Sequence, residues 1–202
     1  MKRLRIAGLR SDGLGPIDLE LDAGECVCLS GPSGAGKTRL LRALADLDPH
    51  DGTVELDGEA AERIHPAAWR RQVGLLPADC RWWAETVGEH FAGDARQLLP
   101  KVGLSEASLD WNIERLSSGE RQRLGLLRLL ANTPKVLLLD EPTANLDARN
   151  AERIEALIAE YRREHAAAVI WVSHDPEQVA RVADRQLRIE DGRLRPETEA
   201  AA

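Results

Sequence analysis

Three apolar runs punctuate the chain: Glu25–Ser30 (ECVCLS), Val136–Leu139 (VLLL) and Ala168–Val172 (AVIWV). Continuous rather than alternating hydrophobicity is what a strand covered on both faces requires, so these runs predict parallel strands inside a sheet. Val73–Leu76 is a shorter strand of the same kind. Elsewhere the period changes. Lys37–Leu47 reads as a helix, and Asn150–His165 sets Ile154, Leu157, Ile158 and Tyr161 on one face with charges opposite, Asp147 standing nearby as an N-cap. Strands alternating with helices of these lengths indicate an α/β fold with a mainly parallel sheet. Thr53–Asp57 before Gly58, and Arg185–Leu194 around the turn Asp191-Gly192, predict an antiparallel part. Between Ala78 and Arg115 the pattern shifts again: helix-prone stretches at Trp83–Phe91 and Asp94–Val102 are broken by Gly93, Pro100 and Gly103. The reading is a single domain of 1–202, with an α/β core at 1–77 and 116–202 and a small helical lobe inserted at 78–115. The tail Pro196–Ala202 is expected to fray.

Composition narrows the partners. A chain of 202 residues, 43% hydrophobic and 30% charged, can bury a sizeable core. With 27 Lys+Arg against 34 Asp+Glu the net charge is −7, which argues against a phosphate-backbone footprint. Five Trp, one Tyr and one Phe are few for stacking on bases, so no nucleic-acid partner is expected. No apolar run approaches the roughly 20 residues of a membrane span, and the basic start Met1-Lys2-Arg3-Leu4-Arg5 lacks a signal peptide's apolar segment. A soluble intracellular chain is the expectation. Cys26, Cys28 and Cys80 have no paired spacing for a disulfide framework, and the first two fall on one strand face as small buried hydrophobes.

Chemistry enters after the first apolar run. Gly31-Pro32-Ser33-Gly34-Ala35-Gly36-Lys37-Thr38 is a complete phosphate-loop pattern between a strand and a helix. Its glycines let successive N–H groups turn inward towards phosphate oxygens, and the following helix adds the positive end of its dipole. Lys37 supplies a point charge to the β- and γ-phosphates, and the Thr38 hydroxyl can ligate Mg²⁺. The run Val136–Leu139 ends in Asp140-Glu141. Two carboxylates at the C-terminal edge of a parallel sheet lie where ligands of such sheets bind. Asp140 is then a holder of Mg²⁺ and Glu141 a polariser of the attacking water.

Leu116-Ser117-Ser118-Gly119-Glu120-Arg121-Gln122-Arg123 resembles the signature segment of ATP-binding cassette (ABC) ATPases. Pro142-Thr143-Ala144-Asn145-Leu146-Asp147 resembles their D-loop, and Ser173-His174-Asp175 their switch-histidine loop. The segments occur in the family's order over essentially the whole chain, and the short helical lobe and the run Val136–Asp147 resemble the small ATPases paired with compact bacterial metal exporters, the iron-export type among them. The resemblance implies two copies paired head to tail around two ATP molecules, each nucleotide between one copy's phosphate loop and the other's signature. Ser117 and Gly119 would then face the γ-phosphate across the interface, His174 would donate to it, and Asp147 would connect the two sites. It also implies a separate polytopic membrane subunit, and a cytoplasmic location on the inner face of the membrane.

Three positions depart from the family. Leu9–Pro16 lacks the aromatic residue that stacks on adenine, Ala78 stands where a Gln is usual with Asp79 as an adjacent substitute, and Ser118 and Glu120 alter the signature. Trp82 and Trp83 lie in the region where such ATPases receive a helix of the membrane subunit, and serve either as an anchor for it or as lobe core. The leading expectation is an active, slowed transport ATPase. Two alternatives stay open: a non-transport ABC ATPase such as a cofactor-assembly component, and a weakly hydrolysing regulatory domain.

Overall fold

The computed structural model describes residues 2–91 and 96–197. The chain opens with a hairpin of β1 (Lys2–Ser11) and β2 (Leu14–Asp22), followed by β3 (Cys26–Ser30) and α1 (Lys37–Leu44). β4 (Asp51–Leu56), β5 (Glu59–Ala60), α2 (Pro66–Gln72) and β6 (Val73–Leu76) come next. After the inserted segment come α3 (Ser118–Leu130), β7 (Val136–Asp140), α4 (Ala148–His165), β8 (Ala168–Val172) and α5 (Pro176–Val182), and β9 (Arg185–Glu190) and β10 (Arg193–Pro196) end the chain.

Two sheets result. One, ordered β2-β1-β4-β5, is antiparallel; the other, ordered β10-β9-β3-β8-β7-β6, is parallel except for the pairing of β10 with β9. The period of two within each apolar run divides the parallel sheet's side chains between two cores. Val27, Leu29, Leu138, Ile170 and Val172 face the antiparallel sheet and α1. Cys26, Cys28, Leu137, Leu139, Val169 and Trp171 face α3 and α4. Both cysteines of β3 are buried on that second face.

One element lies outside the expectations and one differs from them. The β1–β2 hairpin, for which no strand is predicted, carries a period-2 burial pattern at Ile17, Leu19 and Leu21, and bulges interrupt the pairing of β1 with β2. Within 78–115, the described backbone forms 3₁₀ turns at Gly88–His90, Arg96–Val102, Glu106–Asp110 and Ile113–Arg115 rather than α-helices. Pro100 removes a donor inside one turn, and i→i+3 bonds close the others, as from Phe91 N to the Gly88 carbonyl at 3.2 Å. Val87, Leu99, Val102 and Ile113 of this segment share the core of α3 and α4. Pro196 still pairs with Leu187, and Glu197 N still donates to the Gln186 carbonyl, so the tail is held that far. Residues 198–202, and Gly93 and Asp94 with their neighbours, lie outside the described residues.

Candidate functional site

The order β3-β8-β7 sets three strand ends side by side. From β3 leaves the loop Gly31–Gly36; from β8, Ser173-His174; and β7 ends on Asp140, with Glu141 following at φ 50°. The loop depends on glycine at two close approaches. A Cβ on Gly31 would lie 2.5 Å from the Ile189 carbonyl oxygen of β9, and one on Gly36 would lie 2.6 Å from the Leu14 side chain. Both residues have positive φ.

Helix ends show what this corner is built for. α3, α4 and α5 are each capped by a side chain, from Ser117, Asp147 and Asp175. α1 has Gly36 at its N-cap, no side-chain cap and no acid in its first turn. Leading N–H groups and a dipole without a side-chain cap are an arrangement that can take an external anion.

The charged groups converge on this helix end. Buried Lys37 donates from Nζ to the Gly31 and Pro32 carbonyls at 2.7 and 3.0 Å. Burial pulls its pKa down, and the nearby Glu141 and Asp140 carboxylates oppose that shift. Thr38 Oγ1 donates to Asp140 Oδ2 at 2.7 Å. Burial raises the Asp140 pKa, with the Thr38 hydrogen bond acting against it. His174 Nε2 lies 3.3 Å from Glu141 Oε1. A cavity of ≈ 410 Å³ is lined by Ser33, Gly34, Gly36, Lys37, Thr38, Arg39, Arg42, Asp48, Asp140, Glu141 and His174. One hydroxyl and one buried carboxylate at its floor form an oxygen pair of the kind a hard divalent cation takes, and the donor set fits Mg²⁺.

The remaining predicted residues gather elsewhere. Ser117 and Ser118 are exposed at the start of α3, and Gly119 lies against the D-loop-like segment, where a Cβ would sit 3.0 Å from the Asn145 carbonyl oxygen. Glu120 closes a capping box: its N–H donates to Ser117 Oγ at 3.2 Å and its carboxylate accepts from Ser117 N at 2.9 Å. Asp147 caps α4 by accepting from Asn150 N at 2.8 Å, and this bond holds its carboxyl below its ordinary pKa. Neither cluster lines the Lys37 cavity. Ala78 and Asp79 are exposed after β6 and do not line it either. Trp82 and Trp83 divide between the two readings: Trp82 packs against the second core, while Trp83 is 74% exposed.

Two connecting residues carried no sequence signal. Buried Gln178 of α5 bonds Thr143, Ser173 and Glu155 and so ties both loops beside the site to α4. Buried Arg123 of α3 donates to the Val102 carbonyl at 2.6 Å and reaches Asn150 at 3.3 Å.

A family profile described as ABC transporter matches residues 14–144, from β2 through the phosphate loop, the signature and Asp140-Glu141. The chain belongs to the ABC transporter family. Among ABC relatives, the probable iron export ATP-binding protein FetA of Escherichia coli is 36% identical over 82% of this chain and 80% of its own length. The aliphatic sulfonates import ATP-binding protein SsuB of Burkholderia pseudomallei is 36% identical over 90% of this chain and 56% of its own. The chain thus spans little more than half the length of such curated relatives. In fold, the ABC chain superposes on a dimeric ATP-binding cassette solved in a post-hydrolysis state with ADP and Pi, with a TM-score of 0.82 over 98% of this chain and 99% of the other. It superposes equally on a bacterial Atm1-family ABC exporter with ATP bound, with a TM-score of 0.83 over 96% of this chain and 38% of the other. Sequence identity to these two is 24% and 23%, so the likeness is one of fold. The P-loop ABC ATPase architecture read from the motifs is the architecture present.

Proposed function

We propose that this chain hydrolyses ATP as the energising subunit of an ABC transporter. The observation that carries the proposal is the convergence of Lys37, Thr38, Asp140, Glu141 and His174 on one cavity at the uncapped end of α1. On arrival of a triphosphate, Lys37 exchanges its loop carbonyls for β- and γ-phosphate oxygens, while the N–H groups of Gly34 to Thr38 take the rest. Thr38 and Asp140 would hold Mg²⁺, which would supply charge neutralisation at the phosphates. Glu141 takes the proton of the water that attacks the γ-phosphorus, releasing ADP and phosphate. His174, in contact with Glu141, orients that carboxylate and donates to the γ-phosphate.

Exposed Ser117 and half-buried Gly119, both away from this cavity, are available to close a second copy's site, with Asp147 at the junction. The dimeric state in the name of one structural neighbour supports that arrangement. No helix among the described residues is long and apolar enough to cross a membrane. In this reading the membrane path belongs to a polytopic subunit, on whose cytoplasmic face the chain docks peripherally, a role supported by the ATP-binding-protein names of its relatives. Exposed Trp83 beside Leu47, which is 47% exposed, offers an apolar seat for it. Iron export has the support of FetA, and import that of SsuB at the same identity; the membrane subunit sets direction and substrate. The test is phosphate release from Mg-ATP. Lys37→Ala should reduce the rate at least about 100-fold, the scale of losing one preorganised charge contact in a site of this kind. A rate equal to wild type overturns the assignment.

A further inference from the structure

The phosphate end of the cavity is furnished, but the other end holds no Trp, Tyr or Phe among its described lining residues. Apart from the His174 imidazole beside Glu141, the flat groups lining the cavity are two guanidinium ions, those of Arg39 and Arg42. Arg42 is committed: its Nε and Nη2 donate to the two oxygens of Asp48, each at 2.7 Å. Arg39 is held differently. It follows Thr38 on the first turn of α1, and its Nη1 donates to the Asp12 carbonyl in the β1–β2 turn. Its Nη2 lies 3.6 Å from the Asp12 carboxylate, and a Cβ on the adjacent Gly13 would meet Nη1 at 3.4 Å. The guanidinium is thus pinned by one edge across the turn, while its side chain, which lines the cavity, remains 44% exposed.

A planar cation fixed by its edge presents a face on which a purine can stack. We propose that Arg39 is the base platform of this site, and that the site takes ATP and GTP with similar affinity. This rests on the nucleotide reading above and deepens it. Indifference between the two follows from the mode of contact. Every base offers a π-face, whereas discrimination between adenine and guanine needs hydrogen bonds to the edge, and stacking supplies none.

Binding is measured by titration calorimetry with ATP, GTP and inorganic tripolyphosphate, a probe that has the phosphates and no base. For wild type, the Kd values of ATP and GTP should agree within about threefold. Arg39→Ala should weaken both about fivefold, the scale of a half-exposed cation–π contact, and leave tripolyphosphate unchanged. Arg39→Lys keeps the charge but loses the planar fork, and should weaken both nucleotides to a similar extent. Arg39 is overturned as platform if Lys restores wild-type affinity, if Ala leaves nucleotide binding intact, or if tripolyphosphate weakens in step with ATP. Lys37→Ala separates the two levels. Loss of all three ligands supports the nucleotide site, and unchanged binding of all three sinks that site and the Arg39 assignment together.

Discussion

At the scale of single residues, Asp140 shows function opposing stability. The strand Val136–Asp140 is buried along its whole length, so its terminal carboxylate loses solvent, and the Thr38 hydroxyl compensates only in part. The folded pKa lies above the unfolded one. The protonated form is therefore the one the fold favours, and stability is lost as pH rises from the unfolded value through the folded one. At neutral pH the buried charge is a net cost. Asp140→Asn keeps an acceptor for Thr38 and removes that charge. It should raise the thermal midpoint of the nucleotide-free protein by about 2–4 °C for each kcal/mol relieved, while abolishing Mg²⁺-dependent hydrolysis. Differential scanning fluorimetry beside a phosphate-release assay checks both halves, and a lowered midpoint would refute the assignment of burial as the dominant cause.

Among the elements, capping decides what each helix end is free to do. Ser117 and Glu120 close a capping box, which accounts for the acidic residue in this signature: Glu120 satisfies a backbone donor at the start of α3. α1 keeps its N-terminal donors unspent, because a glycine stands where Ser or Asp would cap. Arg123 links three elements, donating to the Val102 carbonyl and to Asn150 Oδ1 while burial depresses its pKa. Arg123→Ala strips the buried Val102 carbonyl of its side-chain donor and should cost about 1–3 kcal/mol in urea unfolding. The loss should leave tripolyphosphate affinity unmoved, since the residue stands outside the Lys37 cavity.

At the level of the whole molecule, the phosphate-loop cavity and the signature segment lie apart, and the proposed pairing of two copies would bring one of each together. Glu141→Gln retains every phosphate contact and removes the proton acceptor, so ATP should bind, hydrolysis should fall about 10²–10⁴-fold, and an ATP-dependent species of twice the monomer mass should accumulate. Light scattering with and without ATP reads this, and a monomer at saturating ATP would refute the sandwich. Much of this was legible beforehand. The three unbroken apolar runs read as strands covered on both faces are β3, β7 and β8, and Asp147 in front of an amphipathic run caps it. Local chemistry and local period determine such features without reference to distant residues. Other features needed the fold. The bulged register of the β1–β2 hairpin is set by pairing, the 3₁₀ turns of 88–115 share a core with α3 and α4, and Gln178 acquires its three partners only when α4, α5 and two loops meet. Likewise, the sequence shows an aromatic missing from Leu9–Pro16, but a contact between Asp12 and Arg39, 27 positions apart, exists only because the hairpin folds back over the end of α1. What is set by spacing along the chain was readable from the chain; what is set by which surfaces meet was decided by tertiary packing.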